Sequence, residues 1–298
     1  MRPGEPVRAA LIAIAHDILG EGRAALAAVE RADTASAVHD YRKAMKRWRA
    51  YLRLVEPFLP PEERWLRVRA RDLARQLASA RDNQAALDAL ADLEKSEVGL
   101  SKTSFVTMRG RIEPAKEAAE ASALTPQLRE QLDVALAGAG HAVDAWTLQE
   151  VSFHELAGEL ARYYRRARDA FPAEWAEAGG EQLHEVRRCV VIHRYQMELV
   201  ELLWPRLGKL WVAEAQRLRD RLGAHQDLVV LGALTAPHQP LAPWRSRIVP
   251  LIERRRAAHA AAAQRLAGRL FAEKPKAFRR RLVALWDSRG DDPAPAAE

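Results

Sequence analysis

The chain has 298 residues and carries 47 Lys plus Arg against 40 Asp plus Glu, a net charge of +7 with His neutral. Its 48% hydrophobic content supplies apolar side chains for a large core and argues against wholesale disorder. The single cysteine, Cys189, excludes an intrachain disulfide framework and a Cys-based zinc site, and no uncharged apolar run reaches the roughly 18 residues of a membrane span.

Ala, Leu, Arg and Glu dominate, and strand-type alternation is almost absent, so the whole chain reads as helix. The expected helices cover 5–30, 35–57, 62–93, 99–122, 127–147, 151–177, 181–204, 206–233, 243–272 and 275–287. The first, broken by Arg8, His16 and Asp17, lacks the apolar stretch of a secretory signal, which together with the lone cysteine predicts a cytoplasmic protein. Pro57, Pro60 and Pro61 end the second helix and start the third. Gly179-Gly180 separates two helices of the second half, Pro205 closes another, and Pro237, Pro240 and Pro243 mark a loop. The tail 291–298 is expected to be disordered.

Internal similarity is the most informative feature. A shift of 145 positions lays residues 38–82 over 183–227 without a gap. His39 meets His184, Arg42 meets Arg187, Lys43 meets Arg188, Arg49 meets Arg194, Pro60 meets Pro205 and Asp82 meets Asp227. Common residues matching by chance would not bring His, Pro and Asp into one register. The expected architecture is all-α: two four-helix-bundle-like repeats, 1–147 and 148–290, related by pseudo-twofold symmetry about a basic central groove.

On a helix of 3.6 residues per turn, Val38, Tyr41, Met45, Trp48, Leu52 and Val55 form one apolar stripe, expected to face the core. His39, Arg42, Lys43, Lys46, Arg49 and Arg53 form another, about 21 Å long at about 1.5 Å per residue. Like charges at these spacings repel, so such a helix faces either water or an anion. Charge runs are usually solvated faces. Here the pattern recurs at His184, Arg187, Arg188 and Arg194, beside the apolar stripe Leu183, Val186, Val190, Met197 and Val200, and two such ridges could line one surface for a long polyanion. The next helix of each repeat adds Arg64, Arg67, Arg71, Arg75 and Arg81 in the first half, and Lys209, Arg217, Arg219 and Arg221 in the second. Arg162, Arg165 and Arg166 precede His184 and could join. The triplets Arg254–Arg256 and Arg279–Arg281 read as solvated faces. Arg suits phosphate because its planar fork donates two hydrogen bonds at once. An imidazole beside phosphates tends to gain a proton.

The runs Val38-His39-Asp40-Tyr41-Arg42-Lys43-Ala44-Met45-Lys46-Arg47-Trp48-Arg49 and Leu183-His184-Glu185-Val186-Arg187-Arg188, continuing to Arg194-Tyr195 and Glu198, resemble the CHAD family, the conserved histidine α-helical domain. The resemblance covers nearly the whole chain. It implies paired helical bundles, a basic central cavity, binding of inorganic polyphosphate and association with polyphosphate granules. The expected polyphosphate-binding set is His39, Arg42, Lys43, Lys46, Arg49, Arg53, Arg67, Arg71, Arg75, Arg81, Arg162, Arg166, His184, Arg187, Arg188, Arg194, Lys209 and Arg217. One departure stands out. Val191 and Ile192 occupy the places of Lys46 and Arg47, which predicts an asymmetric site with the first half binding more strongly.

No catalytic residues, cofactor, metal or membrane partner are expected. A di-iron bundle needs two Glu-x-x-His motifs, and only Glu181–His184 has that spacing. Gly-rich phosphate loops and G-x-S-x-G are absent. Sequence-independent nucleic-acid binding is the rival reading, since a basic surface binds any phosphate backbone. Base stacking would need exposed aromatics, and those of the basic helix fall on its core stripe. A helical protein-interaction scaffold is the third reading.

Overall fold

A computed structural model describes residues 1, 6–29, 34–76, 81–96, 99–122, 124–148 and 151–288. Within them the chain is all-α, with no strand. The helices are α1 (Val7–Ala28), α2 (Thr34–Val55), α3 (Trp65–Gln76), α4 (Arg81–Ser96), α5 (Lys102–Ser122), α6 (Pro126–Asp144), α7 (Phe153–Asp169), α8 (Gly180–Val200), α9 (Pro205–Ala233), α10 (Arg245–Leu270) and α11 (Pro275–Asp287). The tail 291–298 lies outside the described residues.

Local signals set several boundaries. Ser152 and Glu155 form a reciprocal capping box at the start of α7, satisfying two of the amide donors that a helix N-terminus leaves open. Thr125 caps α6 by accepting from the Leu128 amide at 3.2 Å, with Pro126 in the first turn, where a missing N–H costs nothing. Pro205 opens α9 in the same way.

Of the expected helix at 62–93, residues 77–80 lie outside the described residues. A 3-10 turn at Pro61–Arg64 leads into α3, and α4 covers Arg81–Ser96. The two pieces serve different cores. Leu66, Ala70 and Leu73 of α3 join a main core that draws on α1, α2, α6, α7, α8, α11, the first half of α9 and the last half of α10. Ala86, Ala89, Leu90 and Leu93 of α4 join a second, smaller core with Phe105, Met108 and Ile112 of α5, Leu228 and Leu231 of α9, and Ile248, Leu251 and Ile252 of α10. Helices α9 and α10 therefore run through both cores, and α4 and α5 from the first half pack on helices of the second.

The apolar stripe of α2 is buried as its periodicity predicts: Tyr41, Met45, Trp48, Leu52 and Val55 are buried and Val38 is half-buried. Trp48, Tyr51 and Trp146 pack as a triangle of rings, with Trp48 at centroid distances of 5.7 Å from Tyr51 and 6.3 Å from Trp146 and those two 6.4 Å apart, and Tyr51 donates its hydroxyl to the Leu11 carbonyl at 2.7 Å. On α8, Leu183, Val186, Val190, Met197 and Val200 are buried, but so are Cys189, His193, Tyr195, Gln196 and Leu199. Most of the C-terminal half of α8 is enclosed, whereas α2 keeps an open cationic face. The two helices meet where Ala50, Ile192 and Tyr195 form a small apolar cluster with Tyr163 of α7.

Candidate anion-binding groove

Two cavities lie along the junction of α2 and α8. The larger, about 970 Å³, sits between the two cores and is walled by α2, α4, α5, α8 and α9. The smaller, about 280 Å³, lies between α2, α8 and α9. Lys46, Arg187, Arg194, Tyr195 and Arg219 line both, so the cavities adjoin and form one groove.

Their electrostatics differ. The larger cavity has His39, Arg42, Lys43 and Lys46 on its α2 wall, and Asp88, Asp92, Asp220, Asp227 and Glu120 on the walls made by α4, α9 and α5. The smaller is lined by Lys46, Arg49, Arg53, His184, Arg187, Arg188, Arg194 and Arg219, and among the described residues no carboxylate lines it. Burial lowers the Arg49 guanidinium below its ordinary pKa, and Arg188, Arg71 and Arg75 lower it further. Arg53 is lowered in the same way, first by burial and then by Arg49, with Arg67 and Arg188 adding to the effect. Arg53 is held by donating to the Arg49 carbonyl at 2.9 Å.

Several cations of the second half are already engaged. Arg194 donates to Glu198 at 2.6 Å and lies over the Tyr195 ring at 4.6 Å. Arg188 pairs with Glu185 at 2.7 Å, and Arg219 with Asp220 at 2.7 Å. The register of the internal shift explains part of this: Arg49 corresponds to Arg194, but Arg53 corresponds to Glu198. Among the described residues neither Arg49 nor Arg53 has an ion pair with a carboxylate.

Of the residues expected from the sequence, His39, Arg42, Lys43, Lys46, Arg49, Arg53, His184, Arg187, Arg188 and Arg194 line the groove. Arg67, Arg71 and Arg75 lie outside its walls, with Arg67 paired to Glu56 at 3.2 Å and Arg71 to Asp72 at 3.0 Å; all three still repel Arg49 or Arg53. Arg162, Arg166 and Arg217 are also off the walls and pair with Glu159, Glu185 and Glu214. Lys209 is exposed and lies apart. The side chain of Arg81 is outside the described residues.

On α9 the wall residue is Arg219, two positions beyond Arg217. On the wheel of α9, Gln216, Arg219, Asp220, Gly223 and Asp227 share one flank, adjoining the buried stripe of Ala215, Leu218 and Leu222, and Arg217 falls outside that flank. Lys116 and the carboxylates facing α2 carry no local sequence signal, because distant segments bring them there. The C-terminal triplets are not simply solvated faces. Arg255 donates twice to Asp92, at 2.6 and 2.7 Å, and Arg281 bonds Glu273 at 2.9 Å while covering Trp211.

Cys189 is buried, and its Sγ contacts Glu185 at 3.7 Å. Burial raises its pKa, so it lacks the thiolate character of a nucleophile. Among the described residues no group of three or more His, Cys, Asp and Glu is placed to hold a metal, and no helix is long and apolar enough to cross a membrane.

The fold has known counterparts. A crystal structure of the CHAD domain from the plant Ricinus communis has a TM-score of 0.59 at 18% identity, covering 95% of this chain and 94% of that one. PptA from Streptomyces chartreusis has a TM-score of 0.58 at 16% identity, covering 95% of this chain and 100% of that one. Comparison with curated proteins gives no match. The profile of the CHAD domain matches residues 13–236, a stretch that contains both cationic helices and the α9 wall, and the chain belongs to the CHAD domain family.

Proposed function

We propose that the groove binds inorganic polyphosphate without covalent chemistry, through charge-assisted hydrogen bonds from α2 and α8. The observation that carries this reading is the state of Arg49 and Arg53. Both are half-buried, both are lowered in pKa by burial and by neighbouring cations, and neither has a carboxylate partner among the described residues. Clustered, partly desolvated like charges cost stability, and an entering polyanion removes that cost while satisfying the guanidinium donors. Membership of the CHAD domain family, which is associated with polyphosphate, supports the same ligand.

The asymmetry expected from Val191 and Ile192 gains a second basis. The second-half cations Arg188, Arg194 and Arg219 are shared with carboxylates, so the strongest hold falls on the first half. We also read 1–147 and 148–290 as pseudo-twofold repeats. The 3-10 turns Glu56–Phe58 and Glu201–Leu203, which end α2 and α8 in the same register, support that reading. A cytoplasmic location at polyphosphate granules accords with this ligand.

Nucleic acid is the less suited polyanion. The aromatic ring on the groove wall, Tyr195, is buried and covered by Arg194, which leaves no free face for a base. The deciding experiment titrates long-chain polyphosphate, single-stranded DNA and RNA at several salt concentrations. Tighter binding of polyphosphate at every salt concentration is expected. Equal or tighter binding of nucleic acid would overturn the assignment.

A further inference from the structure

The groove has two ends, and a phosphate chain meets different surroundings at each. In the larger cavity the cations of α2 share the space with five carboxylates, Asp88, Asp92, Asp220, Asp227 and Glu120. A chain lying there is attracted by one wall and repelled by the others. The smaller cavity has no carboxylate on its walls among the described residues.

Beyond Arg53 the cations continue on α3. Arg67, Arg71 and Arg75 stand at i, i+4 and i+8 of that helix, so they form one row about 12 Å long at about 1.5 Å per residue. Arg67 pairs with Glu56, the residue that follows α2, and this sets the start of the row beside the last turn of α2, where Arg53 stands. From there the side chains open to solvent, with exposures of 44, 47 and 73%. The row is close enough to Arg49 and Arg53 to depress both guanidinium pKa values. Its pairs with Glu56 and Asp72 are partly exposed, and the Arg75–Asp72 pair is loose at 3.9 Å. Such pairs are worth little and yield to a denser anion. The second half lacks this row. The 145-residue shift puts Val212, Gln216 and Asp220 in the places of Arg67, Arg71 and Arg75, and Gln216 and Asp220 line the larger cavity.

We infer that a bound phosphate chain leaves the smaller cavity over the α3 arginine row, and that the site therefore selects chains long enough to span both over short ones. This rests on the polyphosphate reading of the same groove and adds to it a direction and a length requirement.

Calorimetric titration with inorganic tripolyphosphate and with long-chain polyphosphate tests it. Two double variants lose the same charge at opposite ends of the groove: Arg71→Gln with Arg75→Gln on α3, and Arg42→Gln with Lys43→Gln at the larger cavity. The α3 variant is expected to bind the long chain about tenfold more weakly, the effect of losing two exposed ionic contacts. It should hold tripolyphosphate within about twofold of wild type, the scatter of an ordinary surface change. The larger-cavity variant should weaken the long chain by less than the α3 variant does. An α3 variant that weakens both compounds alike, or that leaves the long chain unaffected, overturns the inference, and so does a larger-cavity variant that costs the long chain as much or more. In those cases the wild type still binds the long chain and only the exit over α3 fails; if the wild type binds neither compound, the groove reading fails with it.

Discussion

His193 has no exposed surface, and Trp211 donates its indole N–H to the His193 Nε2 at 2.9 Å. That bond requires a lone pair on the ring nitrogen, so the imidazole is neutral. Burial first, and then Arg281, pushes its pKa down to about 3. His225 is lowered to about 4, first by burial and then by Arg256 and His259. Both values lie below the roughly 6.5 of an unfolded histidine, so in that window the unfolded chain binds protons that the folded chain refuses. Stability is therefore full above about pH 6.5 and falls as the pH drops towards the folded values, by at most about 1.4 kcal/mol per pH unit for each group. Urea unfolding at pH 7, 5.5 and 4.5 should show this loss, and His193→Gln, which keeps an acceptor but cannot gain the proton, should remove about half of it, the share of His225 remaining. A pH profile identical in the variant would place the acid sensitivity elsewhere. The sequence separates His39 and His184 from other histidines by their register, but it cannot show that His193 is enclosed, since enclosure comes from α9 and α11. The same limit explains Arg217 and Arg219: both are legible as cations on α9, and only the packing of Leu218 and Leu222 decides which one faces the groove.

Helices α4 and α10 are joined by Asp92, which accepts from Arg255 at 2.6 and 2.7 Å and meets the His259 ring at 2.9 Å. Burial works against the Asp92 charge, but the hydrogen bonds from Arg255 and His259 prevail and hold its pKa at about 2. Asp92 also lines the larger cavity. The cluster thus fastens the small core of α4 and α5 beside the groove. Asp92→Asn leaves Arg255 and the buried His259 with a weaker acceptor and should cost about 1–3 kcal/mol. The loss should be local, because among the described residues α4 and α5 contribute buried side chains to the second core and none to the main one. Hydrogen exchange in the variant should quicken across α4 and α5 while α1, α6 and α7 stay protected; uniform quickening would mean that the two cores unfold as one. Helix content and most helix ends are legible from periodicity, proline and glycine. That α3 and α4 serve different cores is not, since it is set by the distant helices that each packs against. Arg255 reads as a surface charge until α4 brings Asp92 to it.

At the scale of the whole molecule, two explanations of polyanion binding compete: a diffuse attraction to a net charge of +7, and a local hold in the groove. The sequence supports both, because its composition gives the net charge and its duplicated register gives the ridges. Folding separates them. It places Arg49 and Arg53 in a cavity that no carboxylate lines among the described residues, and leaves Lys274, Lys276 and Arg280 exposed on or beside α11. Replacing Arg49 and Arg53 by Ala removes two charges, and replacing the three α11 cations removes three. A diffuse mechanism makes the second variant the weaker binder, and a local one makes the first the weaker. Salt dependence gives an independent readout, since the slope of log K against log salt counts the phosphates neutralised. Losing two contacts should make it shallower by about 1.4, if a flexible polyphosphate releases counterions as a single nucleic-acid strand does. The expected result is a shallower slope and at least tenfold weaker binding for the Arg49/Arg53 variant, at about 1–2 kcal/mol per charge-assisted hydrogen bond lost, with the α11 variant close to wild type. The reverse order would return the binding to the molecule's overall charge and leave the groove without a special part in it.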